Sequence, residues 1–133
     1  MSPNQQIKAE SVLIVEDEGI IAAEIEMILR DLGYHIAGRA KNGLQALDLL
    51  ASTSPDIALL DIDLRGKISG IEVAEVIQDK YAIPFIFLTA LADAATLERV
   101  KRTMPYGYIV KPFNENDLRT AIELALYRFR MQQ

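Results

Sequence analysis

Short apolar runs alternate with amphipathic stretches along this chain, and this alternation constrains its fold more than any other feature. The runs 12–15 and 57–60 are wholly apolar, as in strands buried on both faces of a sheet. The stretch 18–32 carries apolar residues at helical spacing, and similar stretches follow the other runs. We count five such units, which predict one α/β domain with a parallel sheet.

Residues that are typical of helix starts and helix ends mark several boundaries of the predicted elements. Asn42 and Ser69 precede two of the helices as N-caps, and Gly33 provides a stop after the first helix. We expect a polar tail over 1–10 and a single domain over 11–131. The predicted strands are 12–15, 35–40, 57–60, 85–88 and 108–110, and the predicted helices are 18–32, 43–52, 70–81, about 93–103 and 115–131.

Composition excludes several classes of protein. The chain has 133 residues, a net charge of −5, no Cys and one His, so zinc sites built from Cys or His are excluded and any metal must be held by oxygen. The acidic balance disfavours direct nucleic-acid binding. The apolar runs fall far short of the roughly 20 residues that a membrane span needs. We therefore expect a soluble, cytoplasmic protein.

Acidic residues follow two of the predicted strands. Glu16 and Asp17 follow the first strand, and Asp61 and Asp63 follow the third. Ligands of open parallel sheets bind beyond the carboxyl ends of the strands, so neighbouring first and third strands would bring these acids together. Such a cluster requires a cation, and Mg²⁺ prefers carboxylates, water and phosphate oxygens.

Two further residues at the same edge suit phosphoryl chemistry. Thr89 follows the fourth predicted strand and Lys111 the fifth, and both can bind phosphoryl oxygens. Phosphoryl transfer depends mainly on positioning and charge neutralisation. Asp61 would be the nucleophile, because a carboxylate can accept a phosphoryl group as an aspartyl phosphate.

Four motifs in order resemble those of the response regulator receiver domain, the phosphoacceptor module of two-component signalling. The resemblance covers about 11–130. The motifs are Val-Leu-Ile-Val-Glu-Asp-Glu at 12–18, Ile-Ala-Leu-Leu-Asp-Ile-Asp-Leu at 57–64, Phe-Leu-Thr-Ala at 87–90 and Gly-Tyr-Ile-Val-Lys-Pro-Phe at 107–113.

The resemblance implies a flavodoxin-like three-layer sandwich with five parallel strands in the order 2-1-3-4-5 and five helices. It also implies that Asp61 is phosphorylated and that Asp17 binds Mg²⁺ directly. Glu16 would assist through water, and the backbone carbonyl of Asp63 would complete the protein ligands.

The resemblance further implies a switch and its partners. Thr89 and Lys111 would contact the phosphoryl group, Tyr108 would change rotamer as Thr89 shifts, and the bond from Lys111 to Pro112 would be cis. The donor would be a phosphohistidine on a histidine kinase or a histidine phosphotransfer protein. The output face would comprise the fourth helix, fifth strand and fifth helix.

The sequence departs from the family pattern in two places. Arg65 stands where receivers commonly carry Pro, and the loop 64–70 is one residue longer. The segment 103–106, Thr-Met-Pro-Tyr, replaces the small residues that are usual there. These departures bear on the loop shape, on kinase recognition and on the output face.

Other functions remain open at this point. A Mg²⁺-dependent phosphatase could use Asp61, Asp63 and Glu16, although the chain lacks a lid domain. A pseudo-receiver would bind partners without taking phosphate. A dinucleotide-binding enzyme is disfavoured because Glu-Asp-Glu-Gly replaces a glycine-rich loop after the first strand. The chain could be a stand-alone regulator or one receiver of a longer protein such as a hybrid kinase.

The last predicted helix carries a second apolar stripe. Leu124, Tyr127 and Met131 lie outside its core-facing positions, so part of this stripe should face solvent. We expect a homodimer or output contact there.

Overall fold

A computed structural model describes residues 9–90 and 94–132. Residues 1–8 of the predicted tail and the predicted helix start at 93 lie outside the described residues. The strands are β1 Ser11–Val15, β2 His35–Ala40, β3 Ile57–Asp61, β4 Phe85–Thr89 and β5 Gly107–Val110, and the helices are α1 Gly19–Asp31, α2 Gly43–Thr53, α3 Gly70–Lys80, α4 Ala94–Arg102 and α5 Glu115–Met131.

The five described strands form one parallel sheet in the order β2-β1-β3-β4-β5. This order confirms the predicted flavodoxin-like fold. Because β1 and β3 are neighbours, the segments that follow them meet at the same edge of the sheet.

Successive strand residues enter two different cores. Leu13 and Val15 of β1 pack with α2 and α3, whereas Val12 and Ile14 pack with α1 and α5. Alternation of side chains across a strand explains this division, and helices on both faces explain why the strands are wholly apolar. The result is the expected three-layer sandwich.

The predicted helix caps are confirmed. Asn42 Oδ1 accepts a hydrogen bond from the Gln45 N–H at 2.9 Å, and Ser69 forms a reciprocal capping box with Glu72. Gly33 ends α1 with a φ of +95°, a left-handed conformation that suits glycine.

Several element boundaries differ from the predicted ones. β3 extends to Asp61 and β4 extends to Thr89, because both residues still pair with the neighbouring strand. α4 ends at Arg102, and Met104 then adopts a positive φ of 55°. The key polar residues Asp61 and Thr89 are therefore strand residues with little positional freedom.

The end of the predicted tail contacts the domain. The carbonyl of Glu10 accepts a hydrogen bond from the His35 N–H at 2.9 Å, and its carboxylate forms an ion pair with Arg130. Among the described helices, none has the length and apolar character that a membrane crossing requires.

Candidate functional site

Three carboxylates meet at the carboxyl edge of the sheet. Glu16 and Asp17 follow β1, Asp61 ends β3, and one oxygen from each lies within 4.8 Å of the others. Glu16 and Asp61 are buried, with 1% and 3% of their surfaces exposed, whereas Asp17 is partly exposed. The topology therefore brings together the acids that the sequence places after neighbouring strands.

Backbone groups hold two of these carboxylates. The Asp63 N–H donates to Asp61 Oδ1 at 2.9 Å, and the Glu18 N–H donates to Glu16 Oε2 at 3.2 Å. These hydrogen bonds restrict the carboxylate rotamers, because each side chain is tied to a residue two positions further along.

A glycine allows α3 to approach this edge. A Cβ placed on Gly70 would lie 1.9 Å from the Asp61 carbonyl oxygen. Only glycine avoids that overlap, so the start of α3 and the backbone of Asp61 are packed directly together. The sequence predicts Gly70 as the first helical residue but gives no sign of this contact.

Lys111 provides the partly buried counter-ion of the cluster. Its Nζ lies 2.7 Å from Glu16 Oε1 and 3.5 Å from Asp61 Oδ2. The Lys111 N–H also donates to the Thr89 carbonyl at 2.8 Å, and the Lys111–Pro112 peptide bond is cis, as predicted.

Burial and crowding shift the protonation of this group. Burial, assisted by contact with Asp61, raises the pKa of Glu16 from 4.5 to about 7, although Lys111 acts in the opposite direction. For Lys111, burial favours loss of the proton, but the hydrogen bond to Glu16 and the charge of Asp61 outweigh it and raise its pKa. The single positive charge of Lys111 therefore balances only part of the negative charge of the carboxylates.

The donor set fits a hard divalent cation. Glu16, Asp17 and Asp61 offer oxygen ligands, which Mg²⁺ prefers. Glu16 Oε1 is buried, and it lies 2.7 Å from the Lys111 ammonium nitrogen in an ion pair. A set of carboxylate oxygens that meet at one point, with a single lysine beside them, suits a metal or a metal-bound water.

Asp63 contributes differently from the other acids. Its side chain is exposed and lies outside the three-carboxylate group, while its N–H holds Asp61. The role of its backbone carbonyl as a metal ligand stays a prediction.

Thr89 and Tyr108 occupy neighbouring strands near this edge. Thr89 is buried at the end of β4, whereas the Tyr108 side chain on β5 is 44% exposed. Tyr108 pairs in register with Phe87, two residues before Thr89. Their coupled movement stays a prediction.

Arg65 is a site neighbour that the sequence reasoning missed. Its Nε lies 3.5 Å from Asp17 Oδ2. The sequence identifies Arg65 as a departure from the family pattern but does not indicate where its side chain lies. A basic residue in a lengthened loop beside a carboxylate cluster was the available signal.

All three residues of the α5 stripe are exposed, where the sequence predicted exposure of only part of it, and two of them border different grooves. Leu124, Tyr127 and Met131 are 54%, 60% and 67% exposed. Leu124 lines a groove with Tyr108 and Val110 of β5, whereas Tyr127 lines another beside Tyr34. Leu124 therefore belongs to the β5 side and Tyr127 to the α1 side.

The unusual segment 103–106 is anchored to α5 through Tyr106. Its ring lies edge-on to Phe129 with centroids 5.8 Å apart, and the Arg128 guanidinium lies 5.7 Å from the ring centre. The Tyr106 hydroxyl also forms a hydrogen bond with Gln132. These contacts join the start of β5 to the last turn of α5.

Fold and site together define an α/β domain of flavodoxin-like topology, with an acidic cluster and a lysine at the carboxyl edge of the sheet. Residues 12–123 match the family described as the response regulator receiver domain. The chain therefore belongs to the response regulator receiver family of two-component signalling.

Curated relatives agree with this membership. The chain is 39% identical over 119 residues to the transcriptional regulatory protein PdtaR of Mycobacterium tuberculosis, covering 90% of this chain and 58% of that protein. It is 36% identical over 127 residues to the uncharacterized transcriptional regulatory protein YrkP of Bacillus subtilis, covering 94% of this chain and 53% of that protein. The chain spans little more than half the length of these relatives.

Solved structures of receiver domains have the same fold. The signal receiver domain of a modulated diguanylate cyclase from Desulfovibrio desulfuricans G20 has a TM-score of 0.90 and 36% identity, covering 95% of this chain and all of that one. A CheY-like receiver domain protein from Methanospirillum hungatei JF-1 has a TM-score of 0.86 at 24% identity, with coverage of 95% and 100%, and this likeness concerns the fold alone.

Proposed function

We propose that Asp61 accepts a phosphoryl group from a phosphohistidine in a Mg²⁺-dependent reaction. One observation carries this proposal: oxygens of Glu16, Asp17 and Asp61 lie within 4.8 Å of one another, and Lys111 contacts Asp61. This arrangement unites a nucleophile, a cation site and a fixed positive charge. Membership of the receiver family supports the same reaction.

The orientation of Asp61 favours one of its oxygens as the nucleophile. Oδ1 accepts the Asp63 N–H, while Oδ2 lies 3.5 Å from Lys111 Nζ. Oδ2 attacks phosphorus, the P–N bond breaks, and the imidazole leaves with the bonding electron pair. The product is an aspartyl phosphate.

Each neighbour of Asp61 has a separate task in this proposal. Mg²⁺, held by Glu16, Asp17 and Asp61, would neutralise charge on the phosphoryl oxygens. Lys111 would hold a phosphoryl oxygen by its ammonium group, and the Thr89 hydroxyl would donate to another. Water attack on phosphorus would later break the bond to Asp61, release phosphate and restore the carboxylate. We expect both self-phosphorylation and self-dephosphorylation to be slow.

The output face would comprise α4, β5 and α5. Tyr108, Val110 and Leu124 are exposed and line one groove on the β5–α5 side. Movement of Thr89 towards the phosphoryl group would leave room for Tyr108 to turn inward, which would change this groove. A homodimer formed through this face would bury its apolar residues.

The family points to a histidine kinase as partner, and we propose that either such a kinase or a histidine phosphotransfer protein supplies the phosphoryl group. We propose a cytoplasmic location, no direct nucleic-acid contact and no membrane insertion. We also propose one receiver domain over 11–131, preceded by a tail over 1–10. The phosphatase alternative loses support because the Asp63 carboxylate lies outside the three-acid group.

Mass measurement of the intact chain tests the proposal. The protein is incubated with acetyl phosphate and Mg²⁺, beside samples with a chelator, with Asp61→Asn and with Asp63→Asn. The proposal expects one added phosphoryl group that requires Mg²⁺, is lost in Asp61→Asn and persists in Asp63→Asn. If no sample gains mass, the proposal is wrong and a pseudo-receiver becomes the better description. If Asp61→Asn gains the same mass as wild type, Asp61 is not the phosphoacceptor and the proposal is also wrong.

A further inference from the structure

The carboxylates of the acidic cluster have different counter-ions. Glu16 and Asp61 contact Lys111 at the end of β5, whereas Asp17 contacts Arg65 in the loop between β3 and α3. Arg65 Nε lies 3.5 Å from Asp17 Oδ2. The three carboxylates are therefore paired with two cations carried on separate segments.

These two cations differ in how firmly they are held. The Lys111 side chain is 16% exposed and contacts two acids, whereas the Arg65 side chain is 89% exposed and contacts one. Within the residues that the structure describes, Asp17 is the sole ion-pair partner of Arg65. An ion pair whose long side chain is almost fully exposed, at an N–O distance of 3.5 Å, is weak, so Arg65 can leave Asp17 at small cost.

The groove beside Arg65 contains basic residues and no second acid. Lys41 and Lys67 line the same shallow groove, which extends from the start of α2 to the loop before α3. No carboxylate is among the described residues that line this groove. The guanidinium therefore stays at Asp17 through attraction to that carboxylate rather than through packing.

We propose that Arg65 is an intramolecular competitor of the divalent cation for Asp17. A guanidinium and Mg²⁺ are both positive, so they repel each other when both contact the Asp17 carboxylate, whose side chain is 13% exposed. Cation binding then requires Arg65 to withdraw, which lowers the affinity of the site relative to a chain with a neutral side chain at 65. This inference rests on the proposed Mg²⁺-dependent function and adds a regulating residue to it.

Calorimetric titration with Mg²⁺ at low ionic strength tests this competition. Arg65→Gln removes the competing charge, and Lys67→Gln is the matched control, because Lys67 lies in the same loop, is exposed and forms no ion pair within the described structure. Arg65→Gln should bind Mg²⁺ about two to five times more tightly than wild type, as expected for loss of an exposed ion pair. Lys67→Gln should tighten binding clearly less.

A second readout does not depend on heat signals. Ligand that binds the folded state raises the melting temperature in proportion to the logarithm of its affinity at a fixed concentration. Saturating Mg²⁺ should therefore raise the melting temperature of Arg65→Gln more than that of wild type or Lys67→Gln. Melting in a chelator verifies that each variant is folded.

The outcomes separate this inference from the proposed function. Equal tightening by both substitutions would overturn the inference, since general electrostatics would then explain the effect. Weaker binding by Arg65→Gln would also overturn it. If neither wild type nor either variant binds Mg²⁺, both the inference and the metal dependence of the proposed function are overturned. If wild type binds Mg²⁺ but Arg65→Gln does not bind it more tightly, only the inference is overturned.

Discussion

Lys111 Nζ lies 2.7 Å from Glu16 Oε1 at the carboxyl edge of the sheet, where the Glu16 side chain is fully buried and that of Lys111 is 16% exposed. Lys111→Ala should lower the free energy of unfolding in a chelator at pH 8 by about 1–3 kcal/mol, because buried carboxylates lose their charged partner. Urea denaturation followed by circular dichroism measures this change.

A surface ion pair provides the control for that substitution. Lys101 is 65% exposed and pairs with Glu98. Lys101→Ala should lower the free energy of unfolding by no more than about 0.5 kcal/mol. Similar losses in the two variants would contradict the structural importance assigned to Lys111.

The raised pKa of Glu16 predicts a pH-dependent stability in the presence of a chelator. Asp17, Asp61 and Lys111 face this carboxyl, and the balance of burial and charge places its pKa near 7. The folded state therefore binds a proton between pH 4.5 and 7 that the unfolded chain releases, so the stability contributed by protonated Glu16 is lost as pH rises through that range.

Comparison with Glu16→Gln isolates this contribution. The free energy of unfolding of wild type minus that of Glu16→Gln should fall from pH 4.5 to above 7, because Gln does not titrate. Urea titrations at several pH values supply both quantities. A difference that stays constant or rises with pH would show that Glu16 has no raised pKa.

The close approach of α3 to β3 predicts a severe effect of one added methyl group. Gly70→Ala would place a Cβ 1.9 Å from the Asp61 carbonyl oxygen, so the helix start or the strand end must move. We expect a loss of about 1–3 kcal/mol in the free energy of unfolding and weaker Mg²⁺ binding. Gly19→Ala is the control, because its Cβ would meet nothing within 4 Å. Equal effects of the two substitutions would disprove this packing account.

The groove beside β5 predicts which exposed residue supports a phosphorylation-dependent homodimer. Leu124→Lys should leave the melting temperature nearly unchanged but abolish dimer formation, since it places a charge beside Tyr108 and Val110. Leu44→Lys, on exposed α2, should have no effect on association. Light scattering after treatment with acetyl phosphate measures the mass. A Leu124→Lys dimer as stable as that of wild type would remove this face from the dimer interface.

Much of the fold follows from local sequence patterns. Wholly apolar strands and capped helices, such as those beginning after Asn42 and Ser69, specify the elements because their signals act within a few residues. The strand order came from the family resemblance, since local patterns do not determine which strands become neighbours. The boundaries at Asp61 and Thr89 were missed because strand pairing, rather than local polarity, decides where these strands end.

The site could be predicted less completely than the fold. Glu16 and Asp17 follow β1 and Asp61 ends the neighbouring β3, so the strand order brings the three acids together. Arg65 and Gly70 depend instead on the path of a loop and on the distance between a helix and a strand. Such features have no periodic signal in a single sequence, because they arise only when the chain is packed.

Chemical mapping of the modified residue tests the central claim most directly. Borohydride reduces an aspartyl phosphate to homoserine, and peptide sequencing by mass spectrometry then locates the conversion. After treatment with acetyl phosphate and Mg²⁺, we expect homoserine at position 61 and unchanged Asp at positions 17 and 63. Homoserine at another position, or none at 61 after phosphoryl treatment, would contradict Asp61 as the phosphoacceptor.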